Sequence, residues 1–193
     1  MYPDIKFPQT KVDWLIADFS KKNKPTIADF MRLRTIGGLY DSLDNYRTQS
    51  ANMNAAQLEA EKHNSKRLGR YMTRAGDPKP SKYCDAHAIV SGGHPDAILM
   101  RGLMAWLKMR IDDPFNGCWL PRDWEDRSRM PNYLRKAVPH KRIHHNGYYR
   151  WLRRFIDFNR ITTQDQLIRA LRLVRVSLQS GNVPPNVMPR TGR

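Results

Sequence analysis

The sequence predicts a mainly helical α+β chain with two short strands in its middle third. Three observations lead there. Hydrophobic content of 40%, with five Trp, eight Tyr and six Phe, is enough for a packed core. Helix-capping patterns and apolar residues at helical spacing flank the centre on both sides. Between them, short apolar stretches beside turn residues suit strands.

In chain order, Val12 to Phe19 is apolar and reads as a helix. Thr26 to Asp29 is a Thr-x-x-Asp cap that opens a second helix, expected to stop near Gly37-Gly38. Asn52 to Met72 is rich in Ala, Glu, Lys and Leu and reads as one longer, mostly solvated helix. Ala75 to Lys82, with Gly and two Pro, marks a boundary. Tyr83 to Val90 suits a strand. Pro95 to Ile111 reads as an amphipathic helix with Ile98, Leu99, Leu103, Trp106 and Leu107 on its apolar side. Asn116-Gly117 signals a turn before a second short strand at Cys118-Trp119-Leu120. Asp123 to Val138 is irregular, and Gly147 to Asn159 is a helix. Thr163 and Gln166 form the capping box of a last helix running through Leu167, Leu171, Val174 and Leu178 to Gly181. The chain thus divides into a helical region at 1–79, a chemistry-bearing domain at 80–182 and a flexible basic tail at 183–193.

The net charge is +16. Self-repulsion of that size opposes compaction and points to a polyanionic partner, with nucleic acid the leading class. The charge is spread along the chain, so the folded body itself is basic. With two cysteines, Cys84 and Cys118, and no CxxC pair, a zinc ribbon and a disulfide-rich scaffold are excluded. One Cys84–Cys118 bridge stays open. No signal-peptide-like or membrane-length apolar run is present, and no detachable amphipathic anchor, so the expected product is made in the cytoplasm and binds no membrane.

Five of the six histidines, His87, His94, His140, His144 and His145, fall between residues 87 and 145. His140 and His144 are four apart, a spacing that on a helix puts two imidazoles on one face, as two ligands of one divalent ion require. Isolated, that pair is more often two surface histidines. Asp85 and His87 share a face if their segment is a strand. Lys141, Arg142, Arg150, Arg153 and Arg154 surround or follow the histidine pair and suit phosphate contacts. Trp119, Tyr148 and Trp151 suit core packing better than base stacking.

The order of these elements carries more than any one of them. Ala86-His87 with Ile89-Val90, then Asn116-Gly117-Cys118-Trp119-Leu120-Pro121, then His140 and His144 followed by Tyr148-Tyr149, resembles the AHH family of the HNH (endonuclease VII) nuclease superfamily. The resemblance covers roughly residues 80–160. It implies a ββα-metal core, two strands and a helix around one divalent cation (Mg, Mn, Zn or Ni), inside the helical α+β chain. It implies metal-dependent hydrolysis of phosphodiester bonds in DNA, or in RNA, with little sequence specificity. Histidines on the helix, His140 and His144, are then the ligands, with Asp85 a further candidate. Asn116 is the residue that holds the strand and orients the base.

One position departs from the signature. Ala88 stands where the family name records a second His. Three arrangements answer this. In the favoured one His87 is the base and His140 and His144 hold the metal. In the second, His94 or His145 fills the vacancy. In the third, the protein binds nucleic acid and does not cut. Through the family, the expected biology is an antibacterial toxin, such as a type VI secretion effector acting in the cytoplasm of a target cell. A secretion-system component and an acidic cognate immunity protein would be its partners. A sequence-specific phage or mobile-element HNH endonuclease is the competing biology.

Overall fold

The structure, a computed structural model, describes residues 11–188, apart from the side chains of residues 11–14, 39–41 and 142. Its backbone forms two compact units, Met1–Tyr46 and Arg47–Arg193. The second unit therefore takes in residues 47–79 together with 80–182.

The first unit contains helix α1 (Lys11–Ser20) and most of α2 (Ile27–Asn52). Thr26 caps α2 as its pattern predicts, with Thr26 Oγ1 accepting the Asp29 N–H and the Asp29 carboxylate accepting the Thr26 N–H. Phe19 packs edge-to-face on Phe30, ring centroids 4.7 Å apart. The helix does not stop at Gly37-Gly38. Each glycine costs about 1 kcal/mol of helix propensity, and 26 residues of helix absorb that cost.

In the second unit the expected long helix over Asn52–Met72 is two helices, α3 (Ala55–Glu59) and α4 (Ser65–Arg74). Two asparagines divide it. Asn54 caps α3 in a capping box with Gln57, and the Asn64 side chain accepts from Arg67 N to start α4. A side chain that bonds nearby backbone N–H groups favours a helix start over a helix interior.

Strands β1 (Cys84–Ala88) and β2 (Gly117–Pro121) pair antiparallel, with Ala88 opposite Gly117, His87 opposite Cys118 and Asp85 opposite Leu120. Opposed residues share a face and successive ones change face. Ala86, Ala88, Gly117 and Trp119 therefore look toward α4. A Cβ on Gly117 would lie 2.6 Å from Met72 Sδ and 2.9 Å from Leu68 Cδ1, so the absent side chain is what lets α4 approach β2. Asp85, His87, Cys118 and Leu120 occupy the other face. Cys84 and Cys118 are free and buried, and the register puts them on opposite faces, which closes the question of a bridge.

Helix α5 (Ile98–Trp106) follows a 3-10 turn at Pro95–Ala97 and ends before Lys108, whose φ is 58°. Its predicted apolar side is rotated. Met100, Leu103, Met104 and Ala105 are buried, while Ile98, Leu99 and Trp106 are exposed. The methionines and Ala105, left out of the predicted stripe, supply the buried side. Residues 123–138 are irregular, as expected, with 3-10 turns at Glu125–Arg129 and Asn132–Leu134.

Helix α6 (Asn146–Leu152) is shorter than predicted, because Arg153 already serves as its C-cap. Helix α7 (Gln164–Ser180) has the predicted Thr163/Gln166 box, buries Leu167, Leu171, Val174 and Leu178, and ends at Gly181 in the left-handed region. It packs on β2. Its Arg175 bonds Asp77 at 2.7 Å, and Arg172 lies over the Phe115 ring, so these two arginines serve internal contacts. The stretch expected as a free tail is partly docked. Val187 is fully buried in the core, and residues 189–193 lie outside the described residues.

Candidate functional site

The site lies on the sheet face that carries His87. His87 is fully buried on β1. His140 and His144 come from the segment before α6, and the expectation that they ride on the helix is corrected. His140 opens a 3-10 turn (His140–Arg142), and the helix starts only at Asn146 because His145 is extended at its N-cap. The pair still meets, with ring centroids 5.8 Å apart. His87 lies 5.2 Å from His140 and 5.1 Å from His144, centroid to centroid. One ligand nitrogen from each of His87, His140 and His144 lies within 4.8 Å of the others, a group that could hold a metal ion.

Hydrogen bonds set which nitrogens are available. The Tyr148 hydroxyl donates to Ile89 O at 2.7 Å, and His87 Nε2 lies 3.2 Å from the Tyr148 hydroxyl oxygen. With the phenolic proton committed to Ile89, His87 Nε2 donates. That leaves the lone pair on Nδ1, which is buried and has no hydrogen-bond partner. His144 Nδ1 pairs with the Tyr149 hydroxyl at 3.0 Å. His140 Nδ1 faces Asp85 Oδ2 at 3.7 Å.

All three imidazoles are held neutral. Burial, then the neighbouring His140 and His144, keep His87 well below the usual histidine range. Burial lowers His140, partly opposed by Asp85. Loss of water around the ring, then His140, brings His144 down to about 4. Neutral imidazole is the metal-binding form. An orphaned buried lone pair and three neutral nitrogen donors fit a divalent ion of the Zn, Ni or Mn kind.

Asp85 stands beside this group. It forms an ion pair with Arg122 at 3.2 Å and approaches His140. Asn116 is fully buried and staples the strand end. It donates through Nδ2 to Val90 O (3.1 Å) and Ile111 O (2.8 Å) and accepts from Val90 N (2.8 Å). Ala88 lies on the face toward α4 and is buried, opposite Gly117. His94 caps the 3-10 turn through Nδ1, which accepts from Asp96 N at 3.2 Å, and its ring stacks on Tyr149 at 4.1 Å. His145 Nε2 meets Val187 O at 3.2 Å. Lys141, Arg150 and Arg154 are exposed, Arg153 bonds Asp96 O, and the Arg142 side chain lies outside the described residues. Trp119, Tyr148 and Trp151 are buried, in keeping with core packing.

Two contacts escaped the sequence reading. One is the Tyr148–His87 bond, which the aromatic spacing alone does not reveal. The other is a His63–Asp112 pair, Nδ1 to Oδ1 at 2.5 Å, made by residues 49 positions apart. No motif links those two positions.

A model of the AHH family, a nuclease family of the HNH/ENDO VII superfamily with conserved AHH, matches residues 68–177. No curated protein and no solved structure matches the chain. The matched segment contains both strands, Asn116, the three clustered histidines and the stretch Ala86-His87-Ala88. The chain belongs to the AHH family of nucleases, within the HNH/ENDO VII superfamily.

Proposed function

We propose that this nuclease is a divalent-metal-dependent endonuclease that hydrolyses the phosphodiester backbone of DNA with little sequence preference. The observation that carries this is the buried His87 Nδ1 lone pair facing no partner, on a ring packed against His140 and His144. His87, His140 and His144 would hold the ion, which shifts His87 from base to ligand. A bound divalent ion supplies positive charge for the scissile phosphate and the developing charge on the leaving oxygen. Asp85, itself gripped by Arg122, orients His140. Tyr148 fixes the His87 tautomer, and Asn116 holds the end of β1. Exposed Lys141, Arg150 and Arg154 would contact flanking phosphates, which position the backbone without reading bases.

A toxin role suits the basic surface. An acidic immunity protein covering this face would gain in association rate from a chain of net charge +16. Ala88 favours one second reading, a binder that lacks a base. Plasmid DNA with Mg²⁺ or Mn²⁺, with and without EDTA, decides between them. Cutting that EDTA stops supports the nuclease. Salt-dependent binding without cutting under any divalent metal supports the binder.

A further inference from the structure

Arg122 directly follows β2. Its N–H donates to Tyr83 O at 3.0 Å, which carries the pairing of β1 with β2 one residue further. Its side chain is therefore in phase with Cys118 and Leu120, on the face that carries His87. Two contacts fix it beside His140. The Arg122 carbonyl accepts from Lys141 N at 3.2 Å, which ties the end of β2 to the turn holding His140. One carboxylate oxygen, Asp85 Oδ2, is 3.2 Å from Arg122 Nε and 3.7 Å from His140 Nδ1. A single carboxylate thus separates the guanidinium from a candidate metal ligand.

The guanidinium is held along one edge. Nε reaches both Asp85 oxygens at 3.2 and 3.3 Å, and Nη2 reaches Asp85 Oδ1 at 3.4 Å and Lys82 O at 3.1 Å. Nη1 has no hydrogen-bond partner among the described residues, and 40% of the side chain is exposed. An ion pair this open adds little to stability. Its effect is to restrain a long, flexible cation in one plane while two N–H groups stay unspent. A restrained guanidinium with free donors suits a phosphate oxygen.

We propose that Arg122, held in place by Asp85, binds the scissile phosphate through Nη1. The inference rests on the nuclease reading above and gives that site a cation from the chain itself. Arg122 offsets negative charge on a non-bridging oxygen as water adds to phosphorus, and no bond to Arg122 forms or breaks. Asp85 is then a positioning residue that acts through Arg122 as well as through His140.

The test compares full-length wild type, Arg122→Ala and Arg122→Lys, with Arg122→Gln replacing the alanine variant if that one does not fold. With Mn²⁺ and saturating plasmid DNA, Arg122→Ala should cleave about 100- to 1,000-fold more slowly. Added guanidinium ion should restore part of that rate. Arg122→Lys should recover only part of it, because a point charge does not make the fork with Asp85. Co²⁺ absorption spectra should match wild type for both. In EDTA, where nothing is cut, anisotropy on a duplex oligonucleotide should show the slope of log affinity against log salt reduced by about one in Arg122→Ala and unchanged in Arg122→Lys. A wild-type rate in Arg122→Ala overturns the proposal. So does a rate loss with lost Co²⁺ binding, which makes Arg122 a prop for His140. Weaker affinity with an unchanged saturating rate overturns it too, by placing Arg122 on a flanking phosphate. A wild type that cuts under no divalent ion removes the nuclease reading, and the slope in EDTA then decides the phosphate contact alone: a reduced slope in Arg122→Ala upholds it and an unchanged slope overturns it.

Discussion

The Tyr148 hydroxyl sits between His87 Nε2 and the carbonyl of Ile89, 3.2 Å from one and 2.7 Å from the other. One phenol therefore ties the candidate metal centre to the backbone just beyond β1. Its proton can serve only Ile89, so the His87 tautomer follows from a bond made two residues down the chain. Tyr148→Phe should leave two buried polar groups unpartnered and destabilise the protein by about 1–3 kcal/mol. Metal affinity should fall about 10- to 100-fold. Urea unfolding and calorimetric titration with Zn²⁺ measure the two effects, and unchanged affinity would refute the tautomer argument.

His140 and His144 lie at the open side of the cluster, so their loss leaves the core intact. His140→Ala and His144→Ala should each remove high-affinity metal binding and DNA cleavage while melting within a few degrees of wild type. Cobalt absorption spectra, plasmid cleavage and thermal melts check this. A variant that still binds cobalt tightly would show that its histidine is not a ligand.

Asn116→Ala would strip three buried hydrogen bonds from Val90 and Ile111. At about 1–3 kcal/mol for each group left unsatisfied, a loss of at least about 3 kcal/mol is expected. Equilibrium urea unfolding reads it directly. A change under 1 kcal/mol would mean that the strand end does not depend on this residue.

Burial pushes the Cys118 thiol up to about 12 and raises Cys84 as well. Burial disfavours the thiolate, which is the nucleophile, so at pH 8 both groups stay protonated and unreactive in the folded protein. Ellman's reagent should find no reactive thiol in native protein and two in guanidinium. One fast-reacting native thiol would contradict the packing of β1 on β2.

Arg150→Ala and Arg154→Ala should weaken DNA binding about equally for unrelated sequences. Each should reduce the slope of log affinity against log salt by roughly one. Fluorescence anisotropy over a salt series tests this. A sequence-dependent loss would point to base reading instead.

Local chemistry was legible in the sequence because it acts between near neighbours. The Thr26 and Thr163 caps, the apolar spacing along α7 and the turn at Asn116-Gly117 all rest on patterns a few residues long, and the strand signal around His87 is local too, although its partner β2 is not. The order of histidines and the asparagine block identified the family for the same reason, since a motif is a short-range pattern. What the sequence could not determine is set by contacts across the fold. The division of the 52–72 helix follows from Asn64, whose turn is clamped by Asp112 from 48 residues away. The buried side of α5 is chosen by the core it meets, which takes Met100 and Met104 and leaves Leu99 outside. His140 and His144 meet through a turn rather than a helix, and His87 joins them only because β2 pairs in one register that aims it at their side of the sheet. The tautomer of His87, the Asp112–His63 pair and the seating of Val187 likewise belong to tertiary structure. A hydrogen bond acts over about 3 Å, and only folding brings residues 49 to 61 positions apart within that distance.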